Sequence, residues 1–315
     1  EKSETAAMIV RTAGTHIRFG SFEKFYHDGL FDRHKELCDY AISQYFPDKD
    51  KLNNKYAYLL ENIVTRTASL IAHWQSVGFC HGVMNTDNMS ILGETLDYGP
   101  YGFIDNFSPS HICNLSDSSG RYSYQNQPYV GMWNCSALAH TFSHLIDKGE
   151  ISRIMSMYEK TYAEKLFTLY KNKLGIKKVV EADEFLIQEL LGLMEVKKLD
   201  FTRTFRSLSN ILNNNHSIQV DESLKNWSQK FKERHTMEDG DINLRITQMN
   251  QINPKFILRN YLLQNAIDLA EEGSYKEIDN LMKLITNPYE ENLEYEKYAG
   301  KSPEWAADIG LSCSS

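Results

Sequence analysis

The sequence predicts a mainly α-helical fold carrying small β-hairpins, and three observations lead there. Apolar residues recur at three- and four-residue spacing through long stretches, most plainly from Lys55 to Val77. Strand-like segments are few and short, confined to Met8–Val10 and to MSILGETL around Gly93. Gly and Pro punctuate the chain between periodic stretches, at Pro47, Gly78, Gly273 and Pro288.

In chain order, a strand at Met8–Val10 turns at Gly14 and enters a helix near Ser21 with Phe22, Phe25 and Tyr26 on one face. Residues 31–46 continue helically and stop at Pro47, which cannot donate to a helical ladder. The stretch Lys55–Val77 places Tyr56, Leu59, Leu60, Ile63, Val64, Leu70, Ile71 and Trp74 on one stripe and ends at Gly78. Residues 100–130 lack helical periodicity. After Trp133 helices dominate: Ala137, Leu138, Phe142, Leu145 and Ile146 form one face, and further helices are expected at 150–172, 183–196, 201–212 and 221–234. Pro254 and Gly273 bracket another helix as start and stop residues. Residues 275–298 form a last helical piece broken by Pro288.

The chemistry concentrates in HGVMNTDNMSILGETLDYG, residues 81–99, where Asp87, Glu94, Asp97 and two asparagines crowd a short apolar core. Kinase catalytic loops read H-R-D-L-x-x-x-N and are followed by D-F-G. With His81 in the first position, Asn88 falls where the metal-binding Asn belongs, and Asp97-Tyr98-Gly99 replaces Asp-Phe-Gly. Val83 stands where the catalytic Asp should be and can accept no proton; Asp87 sits displaced beside the Asn. One Asn and one Asp across a hairpin suit Mg²⁺, which takes few protein oxygens and completes its shell with phosphate. An ordinary polar turn before a buried strand accounts for the same letters. A buried helix feeding such a loop is the order of a kinase C-lobe, which would make residues 1–148 a kinase-like C-lobe with 100–130 as its activation segment. Residues 149–315 would be a helical extension.

With 34 basic against 42 acidic residues the formal charge is −8, so no global field draws nucleic acid or an anionic membrane. No apolar run reaches the roughly 18 residues of a spanning helix, and a soluble protein is expected. Five cysteines show no C-x-x-C spacing, which argues against zinc. Cys38, Cys80 and Cys135 read as small buried hydrophobes. His81 reads as architectural, as do His16, His73 and His144. Tyr98 is expected to pack, Asp105 offers a turn cap or a further metal ligand, and Asp117–Gly120 reads as a mobile loop tip. The chain opens on EKSETAAM, without initiator Met or signal-peptide character, as expected of a piece whose N-terminal portion lies elsewhere.

RTAGTHIRFGSFEKF, GFCHGVMNTDNMSILGETLDYGPYGFIDNF, ICNLSDSSGRYSYQNQP and the terminal SCSS together resemble the selenoprotein O family (YdiU in bacteria), pseudokinase-fold protein adenylyltransferases. The resemblance runs in order from about residue 6 to the C-terminus and is most specific over HGVMNTDNMSILG.

That resemblance implies transfer of AMP from ATP, with Mg²⁺ or Mn²⁺, to Ser, Thr or Tyr hydroxyls of protein substrates. It implies Asp87 as catalytic base and Asn88 and Asp97 as metal ligands. Arg11 and Arg18 would hold the phosphates of an ATP bound in flipped orientation, for which guanidinium forks suit phosphate oxygens. Cys113 and Cys313 resemble a redox-responsive disulfide pair. The location would be cytoplasmic in a bacterium and mitochondrial in eukaryotic members. The family's N-lobe, with its phosphate-binding lysine, would precede residue 1, so this segment alone is expected to be inactive. Lys2 and Lys24 match no pattern that could replace it. Two other readings stay open: a phosphotransferase handing on the γ-phosphate, and a catalytically dead scaffold.

Overall fold

The computed structural model describes residues 8–46, 54–213 and 221–312. Among them it is mainly helical: α1 (Phe19–His27), α2 (Phe31–Tyr45), α3 (Lys55–Val77), α4 (Gln127–Thr141), α5 (Lys148–Lys173), α6 (Ala182–Lys197), α7 (Phe201–Leu212), α8 (Lys225–His235), α9 (Ile242–Ile252), α10 (Asn260–Glu271) and α11 (Lys276–Thr286). Two short strands, β1 (Phe79–Cys80) and β2 (Gly102–Phe103), pair antiparallel with Phe79 opposite Phe103. No helix among the described residues is long and apolar enough to cross a membrane.

The chain divides into two compact units that interleave in sequence: Glu1–Thr67 with Asn85–Asp97 and Trp133–Met157, and Ala68–Met84 with Tyr98–Met132 and Tyr158–Ser315. In the first, α1 packs on α2. Phe22 stacks on Phe142 at 5.9 Å and meets the edge of His34 at 5.6 Å. His34 is wholly buried; its Nε2 lies 3.0 Å from Thr141 Oγ1 and its Nδ1 3.1 Å from His144 Nε2. Cys38 and Cys135 are buried as their size suggests.

In the second unit α7 packs on α9, α6 on α8, and α10 on α11. The helix α7 is capped by Asp200, whose Oδ1 accepts from Arg203 N at 2.9 Å. Phe201, Phe205, Leu208 and Leu212 line its buried face. Residues 105–107 run beside 199–201, with Phe201 N donating to Asp105 O and Phe107 N to Leu199 O, each at 2.8 Å. Arg259, 1% exposed, bridges the carboxylates of Asp105 and Asp200. A second buried arginine, Arg234, contacts Asp183 at 2.5 Å and Glu238 at 3.1 Å. Pairing of this kind offsets part of the cost of burying these charges.

Several expectations need correction. Met8–Val10 forms no strand; the three side chains are 83–91% exposed. MSILGETL closes through a single bridge, Met89 to Thr95, rather than two strands. Helix α4 begins at Gln127, before Trp133, and Phe142, Leu145 and Ile146 follow its end. Pro254 lies six residues ahead of α10, and α9 was not anticipated. Tyr98 is 46% exposed, resting edge-on against Tyr101 rather than packing inward. Asp105 serves as a salt-bridge partner of Arg259. Asp117 is buried, and its carboxylate accepts from the backbone N–H groups of Arg121 and Tyr122 at 2.9 and 2.7 Å, which makes the supposed mobile tip a hydrogen-bonded turn. Pro47 lies outside the described residues.

Candidate active site

All five residues singled out for nucleotide chemistry, Arg11, Arg18, Asp87, Asn88 and Asp97, fall in the first unit. The local frame is backbone-built. Arg18 pairs antiparallel with Ser90; Phe19 N donates to Met89 O at 3.1 Å, and Ile91 N to Ile17 O at 3.4 Å. Arg18 is also the N-cap of α1, so the pairing holds the start of that helix beside the loop.

Asp87 and Asn88 occupy a 3-10 turn, Thr86–Asn88, closed by Asn88 N donating to Asn85 O at 2.9 Å. The chain then reverses at Gly93, whose φ of 68° suits glycine. A Cβ there would also stand 2.8 Å from Arg66 Cβ, a second reason for glycine. The bridge between Met89 and Thr95 returns Asp97 to the end of the hairpin that carries Asn88. Asp87 is exposed, while Asn88 and Asp97 are partly buried.

Arg11 Nη1 donates to Leu96 O at 2.6 Å and stands 3.7 Å from Asp97 Oδ1. It thus faces a carboxylate in this structure. Arg18 differs: its Nε is buried without an acceptor, and it forms no salt bridge among the described residues. A buried N–H on a cation without a partner is costly and suits an incoming anionic oxygen. The donor set of Asn88 and Asp97, an amide and a carboxylate oxygen, fits a hard divalent cation whose other ligands are phosphates and water. No cluster of three or more His, Cys, Asp or Glu able to hold a metal occurs among the described residues, so an all-protein cage is not what this loop offers.

One neighbour of the site escaped sequence reasoning. A Cβ on Gly20 would stand 3.0 Å from Asp87 Cγ and closer still to Oδ1. The RFGS stretch held the signal, a glycine just before the helix expected near Ser21, which the structure places in the first turn of α1.

Away from this loop, His81 is wholly buried; its Nδ1 accepts from Val83 N at 3.4 Å, an architectural role. Cys113 belongs to the second unit, buried and free. Cys313 lies outside the described residues, as does Lys2. Lys24 pairs with Asp28 on the surface.

The comparisons agree with the loop. A family model described as protein adenylyltransferase SelO matches residues 1–286. The chain is 43% identical over 320 residues to the protein nucleotidyltransferase YdiU of Aliivibrio salmonicida, covering 100% of this chain and 66% of that protein. It is 42% identical to the YdiU proteins of Vibrio vulnificus and Herminiimonas arsenicoxydans, covering 66% and 65% of them. The chain therefore spans just under two thirds of the length of these relatives. Nothing in the matches supports the expectation that residues 1–315 lack activity on their own. With the family model covering most of its length, the chain belongs to the SelO family.

Proposed function

We propose that this chain carries the catalytic loop of an ATP- and Mg²⁺-dependent protein nucleotidyltransferase that places AMP on Ser, Thr or Tyr hydroxyls. The observation that carries the reading is Arg18. It is a partly buried guanidinium with an orphaned Nε, held by backbone pairing with Ser90 in the segment that follows Asp87 and Asn88. The names of the YdiU relatives, protein nucleotidyltransferases, support the same chemistry.

In this reading the acceptor hydroxyl attacks the α-phosphorus, the bond to the β-phosphate oxygen breaks, and pyrophosphate leaves. Asp87, exposed at the head of the loop, accepts the hydroxyl proton, a task Val83 cannot perform. Arg18 binds phosphate oxygens as charge develops on them. Arg11 neutralises Asp97 while the site is empty and turns to phosphate when nucleotide arrives. Asn88 and Asp97 would hold Mg²⁺, which when bound offsets phosphate charge.

A kinase-like C-lobe at 1–148 with a helical extension at 149–315, hydroxyl-bearing protein substrates and a cytoplasmic setting if bacterial belong to the same proposal. Redox control acting through Cys113 completes it; the resemblance pairs that thiol with Cys313. The test is label transfer by this chain and by the full-length protein. Label from ATP marked at the α-phosphate should reach protein, and label at the γ-phosphate should not. Transfer of γ-label alone would make it a phosphotransferase, and nucleotide binding without any transfer would favour a scaffold.

A further inference from the structure

The strand β1 has two edges, and one of them meets β2. On that side Ile104 N donates to Gly78 O at 2.8 Å, and just beyond the strand Gly82 O accepts from Asn114 Nδ2 at 3.1 Å. Successive residues of an extended chain turn their backbone polar groups to opposite edges, so Phe79 O and His81 N face the other way. Among the described residues no strand lies there. One side chain fills the gap. Gln127, wholly buried in the same unit, accepts from His81 N through Oε1 at 2.8 Å and donates from Nε2 to Phe79 O at 2.9 Å. Its amide stands in for the peptide group of a neighbouring strand.

That amide is itself fixed. Gln127 opens α4, and its backbone N donates to Tyr124 O. Tyr124 is locked in turn by Gln75, whose Nε2 donates to the same carbonyl at 2.6 Å and whose backbone O accepts from the Tyr124 hydroxyl at 2.5 Å. An amide suits the edge of β1 because one partner is a donor and the other an acceptor, whereas a carboxylate can only accept. Removing the amide would leave a buried N–H and a buried C=O unsatisfied where β1 passes into the catalytic-loop candidate.

From this clamp we infer that Gln127 is a positioning residue for nucleotidyl transfer. It fixes the backbone at Phe79 and His81, from which the chain reaches Asp87 six residues later. Buried as it is, Gln127 acts through the loop and not by contact with substrate. The inference rests on the nucleotidyltransferase reading above. A general base tolerates little displacement, since a misplacement of about 1 Å can cost on the order of 100-fold in rate. The residues past Asn88 have an anchor of their own in the pairing of Ser90 with Arg18. A slackened β1 edge is therefore felt over residues 82–87, in turnover more than in ATP affinity.

The test is Gln127→Glu in the full-length protein, which keeps the shape of the side chain. Ionised, the introduced carboxylate accepts from His81 N but opposes Phe79 O; protonated, it makes both bonds again. Burial raises a carboxyl pKa, to about 8–9 at the extreme, so the neutral form returns as pH falls from about 8 to about 6. The readout is the rate of self-labelling from α-labelled ATP, per folded molecule by urea unfolding and relative to wild type at each pH. It should be down about 10- to 100-fold at pH 8 and largely recovered at pH 6. The ATP concentration for half-maximal rate should stay nearly unchanged. Asn253→Asp alters another buried amide, one that donates to Lys173 O at 2.8 Å. It should lose stability at pH 8 and keep its rate per folded molecule. A flat ratio for Gln127→Glu, or an equal loss in Asn253→Asp, would overturn the positioning role and leave the nucleotidyltransferase reading standing. A wild-type protein that transfers no α-label would sink that reading, and the role with it.

Discussion

The carboxylate of Asp87 occupies the space that a side chain at Gly20 would need, with Asp87 Cγ 3.0 Å from where that Cβ would stand. Helix α1 and the catalytic-loop candidate therefore meet at a glycine. Gly20→Ala should turn the carboxylate aside and lower kcat by roughly 10- to 100-fold, the range of a displaced general base. Nucleotide affinity should change little. In an Asp87→Ala background the same substitution should cost nothing further, because the group it displaces is gone. Independent, additive losses in steady-state kinetics would show that Gly20 acts on the fold and not through Asp87.

Asp97 pairs with Arg11 at 3.7 Å while both side chains are partly exposed, so the ion pair itself adds little stability. Asp97→Asn keeps the shape and removes the charge. Activity should fall on the order of 100-fold or more, since a metal's share of charge stabilisation is several kcal/mol. The melting temperature should stay within a few degrees. Full activity in Asp97→Asn would remove that residue from the metal site.

His34 is buried beside His144, and burial first, then the neighbouring imidazole, pushes its pKa down to about 4. The unfolded chain therefore binds more protons between pH 6.5 and 4, and stability should fall as pH drops through that window. The loss from this residue is about 2–3 kcal/mol at its lower end. His34→Gln, whose amide can still reach Thr141, should flatten the pH dependence of urea unfolding. His235, lowered to about 4 by burial and Arg245, should retain its own share of the slope. A slope unchanged by His34→Gln would mean that His34 does not titrate there.

Lys173 is 3% exposed, lies 4.7 Å from the centre of the Phe205 ring and pairs with no carboxylate among the described residues. Burial pulls its pKa down to about 7. Between that value and 10.5 the unfolded chain binds the extra proton, so stability should rise with pH across the interval. Lys173→Met, of similar length and apolar, should stabilise the protein by about 3 kcal/mol near pH 7. The gain should shrink toward pH 10. Equal gains in denaturant midpoint at both pH values would point to packing alone.

Helices α3, α6 and α7 were legible in the sequence because each buries apolar residues that recur at helical spacing, and Gly78 marks the end of α3. The grouping of Asp87, Asn88 and Asp97 was legible for a similar reason: they flank one short bridged turn that Gly93 announces, whereas His81 belongs to the second unit. Where the signal depended on a distant neighbour, local reading failed. Met8–Val10 has strand letters but no ladder partner among the described residues. Tyr98 has an aromatic's letters but an exposed ring.

The sequence by itself determined the helical character of the chain, the catalytic-loop candidate with its oxygen donors, and the SelO family resemblance. Only the tertiary structure decided that Gly20 makes room for Asp87, that Arg11 faces Asp97 while Arg18 Nε has no acceptor, and that Cys113 meets Cys80. It also assigned Asp105 to Arg259, 154 residues away. Periodicity and capping are written over a few turns of backbone, whereas these pairings join residues separated by tens of positions. Chain closure brings such residues together, and burial then selects which polar groups find partners and which are left for a ligand.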